Sequence, residues 1–255
     1  LILALILPTT TEWYMVIIGS IFSIAVAKML FGGTGKNLVN PAAIGRVFMF
    51  LSFAAVTSCA VTSQFGPIVD SSNVITGATN LGGLLPGEGK GDPVSNIALL
   101  DLFLGTGVSG CIGETCKLAI LVGYVYLAVR NVIKWWQPLL FVAVFGLAAW
   151  LMGGFFYENY TLDINLFLPN ILSGGVLFGA VFMFTDYVTS PKGVYGQLVY
   201  YIAGAVLLAI LRYLTKIEVA SFVIVLMNLF VPLIDRYIIQ RPFGYKKVKT
   251  QKEDK

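Results

Sequence analysis

Stretches of roughly 15 to 20 apolar residues with few charges recur along the chain. Because a helix needs about 20 predominantly apolar residues to cross a bilayer, this pattern predicts membrane-spanning helices. The composition agrees, since 57% of the 255 residues are hydrophobic and 12% are charged, whereas a soluble domain carries roughly 25% charged residues. The mean hydropathy is +0.84. We therefore expect an all-α, polytopic helical membrane protein and exclude a soluble globular domain.

The apolar stretches also divide the chain. The segment 1–7 is too short to cross a bilayer, and we interpret it as the end of a helix that begins upstream, so we expect the chain to be truncated at its N-terminus. Residues 1–240 are predicted to form a transmembrane domain, and 241–255 a basic cytoplasmic tail. The predicted spans lie at about 13–31, 41–60, 116–130, 137–152, 170–187, 195–212 and 217–239.

The positive charges predict the orientation, because short cytoplasmic connections collect Lys and Arg. The opposite side receives 8–12 and 153–169, which contain no basic residue, together with the glycine-rich connection 61–115. The turn at 212–217, which contains Arg212 and Lys216, contradicts this pattern. We expect a multi-pass protein of the inner (cytoplasmic) membrane, whose charge reflects topology rather than nucleic-acid binding. The connections assigned to the cytoplasm contain Lys36, Arg130, Lys134, Lys192 and the C-terminal tail.

Two of the cytoplasmic connections are typical of interrupted helices. The first, 32–41, contains several glycines and ends in Asn40-Pro41, and the second, 185–193, contains Thr185, Asp186 and Pro191. A weak parallel between the spans that follow Pro8 and those that follow Asp186 suggests an inverted repeat. Broken helices in such repeats bring backbone groups to a site inside the membrane.

The side chains available for chemistry are limited. The chain has no histidine, which excludes a Ser-His-Asp triad, a His-ligated haem or zinc ion and a histidine proton relay. Cys59, Cys111 and Cys116 are too few and too scattered for a metal cluster, so we predict no metal ligands. Cys111 and Cys116 could form a disulfide outside the cell, but small buried thiols are the favoured interpretation.

The connection 61–115 contains the tetrapeptide Thr76-Gly77-Ala78-Thr79. Gly77 and Ala78 leave the backbone accessible, so a modifying enzyme could reach the Thr79 hydroxyl. The simpler interpretation is that Thr79 caps a helix or a turn.

Five motifs occur in a fixed order along the chain: Phe31 to Asn37 with Asn40-Pro41-Ala42 and Gly45-Arg46-Val47-Phe48, Thr76 to Thr79, Gly110 to Glu114, Thr185 to Pro191, and Pro232 to Tyr237. In these motifs the chain resembles a known family, the D subunits of Rnf complexes and the homologous B subunits of sodium-pumping NADH:quinone oxidoreductases. The resemblance is closer to the Rnf subunits, because 61–115 is short and the tail contains Pro242-Phe243-Gly244.

The resemblance implies a covalent flavin mononucleotide (FMN), joined by a phosphoester to Thr79 on the outer face and attached by a flavin transferase. It also implies a non-covalent riboflavin near the cytoplasmic side, for which Asn37, Asn40, Thr185 and Asp186 are candidates by location. Electrons would reach this subunit from an FMN-bearing partner on the outer face, within a complex of membrane and peripheral subunits. Their transfer would be coupled to movement of a sodium ion or a proton.

Three carboxylates, those of Glu114, Asp186 and Asp235, allow either a functional or a structural interpretation. Glu114, after Gly113, either lies near the flavin or is a favourable charge at a helix N-terminus. Asp186 ends an apolar span, where an acidic side chain often marks a ligand or ion pathway, and we expect a hydroxyl or a free backbone amide to hold it. Asp235, beside Arg236, is more simply a helix-end ion pair.

Two other functions fit part of the pattern. A small-solute channel or transporter would also use broken helices, but it would have no use for Thr76 to Thr79. A component of the quinone-reducing pump is the third alternative.

Overall fold

A computed structural model describes residues 1–8, 11–33, 35–53, 99–105, 110–156, 167–215 and 218–238. Within these ranges the regular elements are all helical, which confirms the predicted class. In chain order they are α1 (Ile2–Leu5), α2 (Trp13–Ile21, continued as a π-helix over Phe22–Met29), α3 (Pro41–Ser52), α4 (Leu99–Leu104), α5 (Lys117–Val129), α6 (Trp136–Phe156), α7 (Phe167–Leu172), α8 (Val176–Phe178, continued as a π-helix over Gly179–Met183), α9 (Val194–Thr215) and α10 (Ala220–Tyr237).

Within the described residues, three helices are long and apolar enough to cross a membrane: α6, α9 and α10. Helices α2, α3 and α5 are apolar but shorter. Outward-facing side chains are also apolar. On α5, for example, Val122, Val125 and Val129 are 63%, 56% and 74% exposed. Such faces are costly in water but suit lipid or an apolar protein neighbour, so the described helices fit a polytopic membrane protein.

The centre of the bundle lies between α6 and α9, the most extensive helix pair. Aromatic rings fill it: Phe141 of α6 lies 4.3 Å from Phe184, between ring centroids, and Phe184 lies 5.7 Å from Tyr200 of α9. Helix α10 packs against both α9 and α3, and α3 packs against α2. The N-terminal helices are thereby joined to the C-terminal pair.

Two predicted spans differ from the structure. The helix of the span 41–60 ends early, since α3 ends at Ser52 and Phe53 is extended, and residues 54–60 lie outside the described residues. The span 170–187 is wrong as a continuous helix. The stretch 170–187 contains the end of α7 and all of α8, separated by Ser173, Gly174 and Gly175. Gly174 has φ +65°, a left-handed conformation that L side chains rarely adopt. The apolar average hid this interruption, because glycine does not lower mean hydropathy enough to mark a break.

The start of α3 has strong local causes. Asn40 is its N-cap residue, and its Oδ1 accepts hydrogen bonds from the backbone N–H groups of Ala42 at 3.0 Å and Ala43 at 3.4 Å. Pro41 occupies the first helical position, where its missing N–H costs nothing. The predicted interruption at Asn40-Pro41 is therefore confirmed.

Candidate functional site

The two predicted interruptions meet inside the bundle, in a cluster that we call the Asn40 junction: Asn40, Met183, Thr189, Tyr200 and Asn228. Asn40 Nδ2 donates to the Met183 carbonyl at 3.4 Å. Asn228 is fully buried near the middle of α10. With its amide oriented to suit its neighbours, Asn228 accepts from the Asn40 backbone N–H at 2.9 Å and donates to the Tyr200 hydroxyl at 2.8 Å and the Thr189 carbonyl at 3.3 Å.

The connection after α8 folds on itself around Asp186. Asp186 Oδ1 accepts from the Val188 N–H at 3.2 Å, and Oδ2 accepts from the Thr189 hydroxyl at 3.2 Å. The expectation that a hydroxyl or a backbone amide holds this carboxylate is confirmed. Thr185 does not take part, because its hydroxyl donates to the Val181 carbonyl at 2.5 Å.

Asn37, three residues before Asn40 in the chain, has an unused acceptor. Its Oδ1 is buried without a hydrogen-bond partner, although the residue as a whole is only half-buried. A buried acceptor without a donor is costly. Among the predicted site residues on the two interruptions, Asn37 is the one with a buried, unsatisfied side-chain atom in the described structure.

A second cluster surrounds the break between α7 and α8. We call it the Glu114 junction: Glu114, Lys117, the Ser173–Gly175 break, Arg212 and Glu218. Glu114, Lys117 and Arg212 are almost completely buried, with exposed fractions of 3%, 2% and 2%. Buried charges of this kind are expensive unless other groups compensate them.

The two cations of the Glu114 junction satisfy carbonyl groups at the end of α7. Arg212 Nη1 donates to the Asn170 carbonyl and Nη2 to the Ser173 carbonyl, both at 2.9 Å. Lys117 Nζ donates to the Gly174 carbonyl at 2.9 Å and also to the Glu114 carbonyl. Positive charge at the carbonyl end of a helix is electrostatically favourable, so both cations stabilise the interruption.

The two carboxylates lie beside the same break. A Cβ placed on Gly175 would lie 2.6 Å from Glu114 Oε2 and 3.4 Å from Glu218 Oε1, and one placed on Gly174 would lie 3.3 Å from Arg212 Nη2 and closer still to Glu218 Oε2. Glu218 lies in the connection between α9 and α10, and its burial and then the nearby Glu114 carboxylate raise its pKa. Arg212, Arg46 and a hydrogen bond from the Gly175 backbone N–H oppose this shift. The two acidic side chains thus share one small space beside Gly175.

The loop that carries Glu114 is fixed to the first residues of the chain. Gly113 N–H donates to the Leu5 carbonyl at 2.7 Å, and Ile112 N–H donates to the Leu7 carbonyl at 3.5 Å. Within the loop, Glu114 Oε1 accepts from the Cys111 N–H at 2.9 Å. The predicted residues Gly113 and Glu114 therefore lie together in a folded, buried loop.

The structure separates the predicted site residues into three groups. Asn40, Thr185 and Asp186 lie at or next to the Asn40 junction, Asn37 lies on the connection that leads into it, and Gly113 and Glu114 lie at the Glu114 junction. The attachment motif Thr76, Gly77, Ala78 and Thr79 lies outside the described residues. Its assignment stays a prediction.

Sequence reasoning missed Lys117, Arg212, Glu218 and Asn228 as site residues. A usable signal existed, because charged side chains within apolar runs are rare and often functional. Arg212 was instead counted as a loop charge. Its burial removes one of the two positive charges from the 212–217 turn, since a guanidinium bonded inside the bundle is not a loop charge. The second, Lys216, lies outside the described residues.

Two of the three cysteines, Cys111 and Cys116, lie within the described residues. Cys111 and Cys116 are thiols that form no disulfide in the described structure, and Cys111 is buried, with the Arg46 guanidinium donating to its sulfur at 3.5 Å. The favoured interpretation is confirmed for Cys111, which is a small buried residue rather than half of a disulfide. Cys116 is half-buried.

Comparisons with known proteins agree with the arrangement of motifs. The profile of the family described as NQR2, RnfD, RnfE matches residues 1–244. The chain is 37% identical to the D subunit of the Na⁺-translocating ferredoxin:NAD⁺ oxidoreductase complex of Acetobacterium woodii, over 98% of this chain and 73% of the relative. It is 34% identical to the proton-translocating counterpart of Clostridium ljungdahlii, over 97% and 73%. It is also 34% identical to the D subunit of the ion-translocating oxidoreductase complex of Stutzerimonas stutzeri, over 95% and 73%.

Proposed function

Because the chain belongs to the NQR2, RnfD, RnfE family, we propose that it is the D subunit of an ion-translocating ferredoxin:NAD⁺ oxidoreductase complex and carries electrons within the membrane. The observation that carries this proposal is 37% identity to the A. woodii protein over 98% of the chain. The chain is then one component of an oxidoreductase, and its partners are the other membrane and peripheral subunits of that complex.

The first cofactor proposed is FMN, attached through a phosphoester to Thr79. The support is the order of the motifs, in which Thr76-Gly77-Ala78-Thr79 lies between the Asn40-Pro41 and Gly110 to Glu114 motifs. When bound, FMN would supply the redox chemistry of electron transfer. A flavin transferase would attach it, and an FMN-bearing subunit on the outer face would be the electron-donating partner.

The second cofactor proposed is riboflavin at the Asn40 junction. Asn37 Oδ1 is a buried acceptor without a donor, which fits a ligand that carries hydroxyl and ring N–H groups. Asn40 holds the start of α3, while Asp186 and Thr185 lie on the facing connection. In this proposal Asn37 accepts a hydrogen bond from the ligand, and the other three residues shape its site.

The transported ion is one of two. The A. woodii relative is named as Na⁺-translocating and the C. ljungdahlii relative as proton-translocating, and the chain is similarly related to both. We propose that electron transfer through this chain is coupled to movement of one of these cations, with the connection 61–115 on the outer face and the C-terminus in the cytoplasm.

The direct test compares two threonines of one motif. The chain is produced in membranes with its complex and a flavin transferase, and Thr79→Ala is compared with Thr76→Ala, which removes a hydroxyl three residues away. We expect flavin fluorescence on a denaturing gel and the mass of FMN on the peptide for wild type and Thr76→Ala only. Both variants should remain in the membrane, since loss of one loop hydroxyl costs within roughly 1 kcal/mol.

Electron transfer from reduced ferredoxin to NAD⁺ should be lost in Thr79→Ala. An unmodified wild-type chain, or FMN still attached to Thr79→Ala, would contradict the assignment. A wild-type chain without flavin that still conducts a solute would instead support the channel alternative.

A further inference from the structure

The Glu114 junction contains a carboxylate oxygen that nothing in the described structure satisfies. Glu114 is 3% exposed, and its Oε2 has no hydrogen-bond partner. Its other oxygen, Oε1, accepts from the Cys111 N–H at 2.9 Å. A buried carboxylate oxygen without a donor is unfavourable by several times the thermal energy, so this position calls for a positively charged or hydrogen-bearing ligand.

Lys117 and Arg212 do not fill that role. The hydrogen bonds that they donate in the described structure go to backbone carbonyls at the end of α7 and in the Glu114 loop. Lys117, Arg212 and Arg46 influence the carboxylates electrostatically, but Glu114 Oε2 accepts no hydrogen bond in the described structure. Their positive charge would also weaken any cation bound between the carboxylates, which favours reversible over tight binding.

The space beside Gly175 is shared by the two carboxylates. A Cβ built on Gly175 would lie 2.6 Å from Glu114 Oε2 and 3.4 Å from Glu218 Oε1. Two carboxylates that face one small space repel each other unless a proton or a metal cation lies between them. Glu218 is half-buried as a whole residue, while its carboxyl group is buried enough to raise its pKa.

We propose that Glu114 and Glu218 form a binding site for one monovalent cation, a proton or Na⁺, held at the break between α7 and α8. The proposal rests on the proposed function, because it gives the coupled ion a place in this chain. Glu114 Oε2 and Glu218 Oε1 are the ligands. Ser173, whose buried hydroxyl also lacks a partner, is an additional oxygen of the same break.

Gly175→Ala is the decisive variant, because it fills the shared space and keeps every charge. The backbone at Gly175, φ −85° and ψ 16°, is open to alanine, but the new methyl group would lie 2.6 Å from Glu114 Oε2 and displace it. Gly179→Ala is the matched control. Its methyl group would make only ordinary contacts, 3.7 Å from Ile224 and 3.9 Å from Ala220. Glu114→Gln is a second variant that removes the charge.

The experiment is infrared difference spectroscopy on the purified complex. In one arm, NaCl replaces choline chloride at constant ionic strength and pH. In the other, pH is varied at constant Na⁺. If the site binds Na⁺, the carboxylate bands shift as the Na⁺ concentration rises and the shift reaches saturation. If the site binds a proton, a carboxylic acid band appears as the pH falls, and its intensity does not depend on the Na⁺ concentration.

In Gly175→Ala, either signal should be lost or should require at least about tenfold more cation. The signal should disappear in Glu114→Gln and persist in the control, Gly179→Ala. The proposal is overturned if neither arm gives a signal in wild type, or if Gly175→Ala titrates as wild type does. The readout needs no flavin and no electron transfer. A cation signal in a Thr79→Ala complex would therefore support this site even if the electron-carrying function failed its own test.

Discussion

Replacing Arg212 by methionine should destabilise the chain, because this guanidinium satisfies the carbonyl end of α7. Arg212 is 2% exposed, and its two terminal nitrogens each donate to a backbone carbonyl at 2.9 Å. Methionine has a similar length but donates no hydrogen bond. The Asn170 and Ser173 carbonyls would lose these donors, and Glu218 would lose a compensating charge.

The expected cost follows from these contacts. A hydrogen bond to a charged group contributes about 1.5–3 kcal/mol, so two contribute about 3–6 kcal/mol. The position of the guanidinium over the Phe145 ring, 5.4 Å from its centroid, adds about 0.5–2 kcal/mol. Taking the lower bound of about 3 kcal/mol, and about 2–4 °C per kcal/mol for a chain of this size, Tm should fall by at least roughly 6 °C.

A thiol-reactive fluorescent dye can follow thermal unfolding in detergent, because Cys111 is buried in the folded chain. Arg212→Lys keeps the charge but loses the forked donor geometry, so we expect an intermediate loss. Combining Arg212→Met with Glu218→Gln separates the two causes. If the uncompensated carboxylate contributes, the double variant is more stable than Arg212→Met alone. A Tm for Arg212→Met within about 2 °C of wild type would refute the reasoning.

Two further substitutions test the loop at the Glu114 junction and the connection at the Asn40 junction. Gly113→Ala would place a Cβ 2.8 Å from Leu5 Cβ and 3.0 Å from the Leu5 carbonyl oxygen. The dye assay should therefore show that the chain loses about 1–3 kcal/mol of stability. A Tm equal to that of Gly179→Ala would contradict this expectation. Asp186→Asn can still accept the Val188 N–H through Oδ1, so Tm should change little. Covalent flavin should be retained and its oxidation in vesicles slowed, and a normal rate with a normal ion ratio would count against a cofactor or ion role for Asp186.

Several features could be predicted because their causes are local. Apolar length is a property of each segment, so α2, α5, α6, α9 and α10 agree with the predicted spans within a few residues. The interruption at Asn40-Pro41 was predictable because an N-cap asparagine followed by proline acts on its own turn. The five ordered motifs identified the family for the same reason, since they are read directly along the chain.

The Glu114 junction could not be predicted, because it depends on side chains from segments that are distant in sequence. Glu114 and Lys117 lie on one loop and helix, the break at 173–175 on another, and Arg212 and Glu218 at the ends of α9 and α10. In the sequence, a buried arginine and a loop arginine look the same, and a glycine pair within an apolar run does not reveal whether the helix continues. Only packing decides these questions, because the energy of a buried charge is set by the groups around it rather than by its neighbours along the chain.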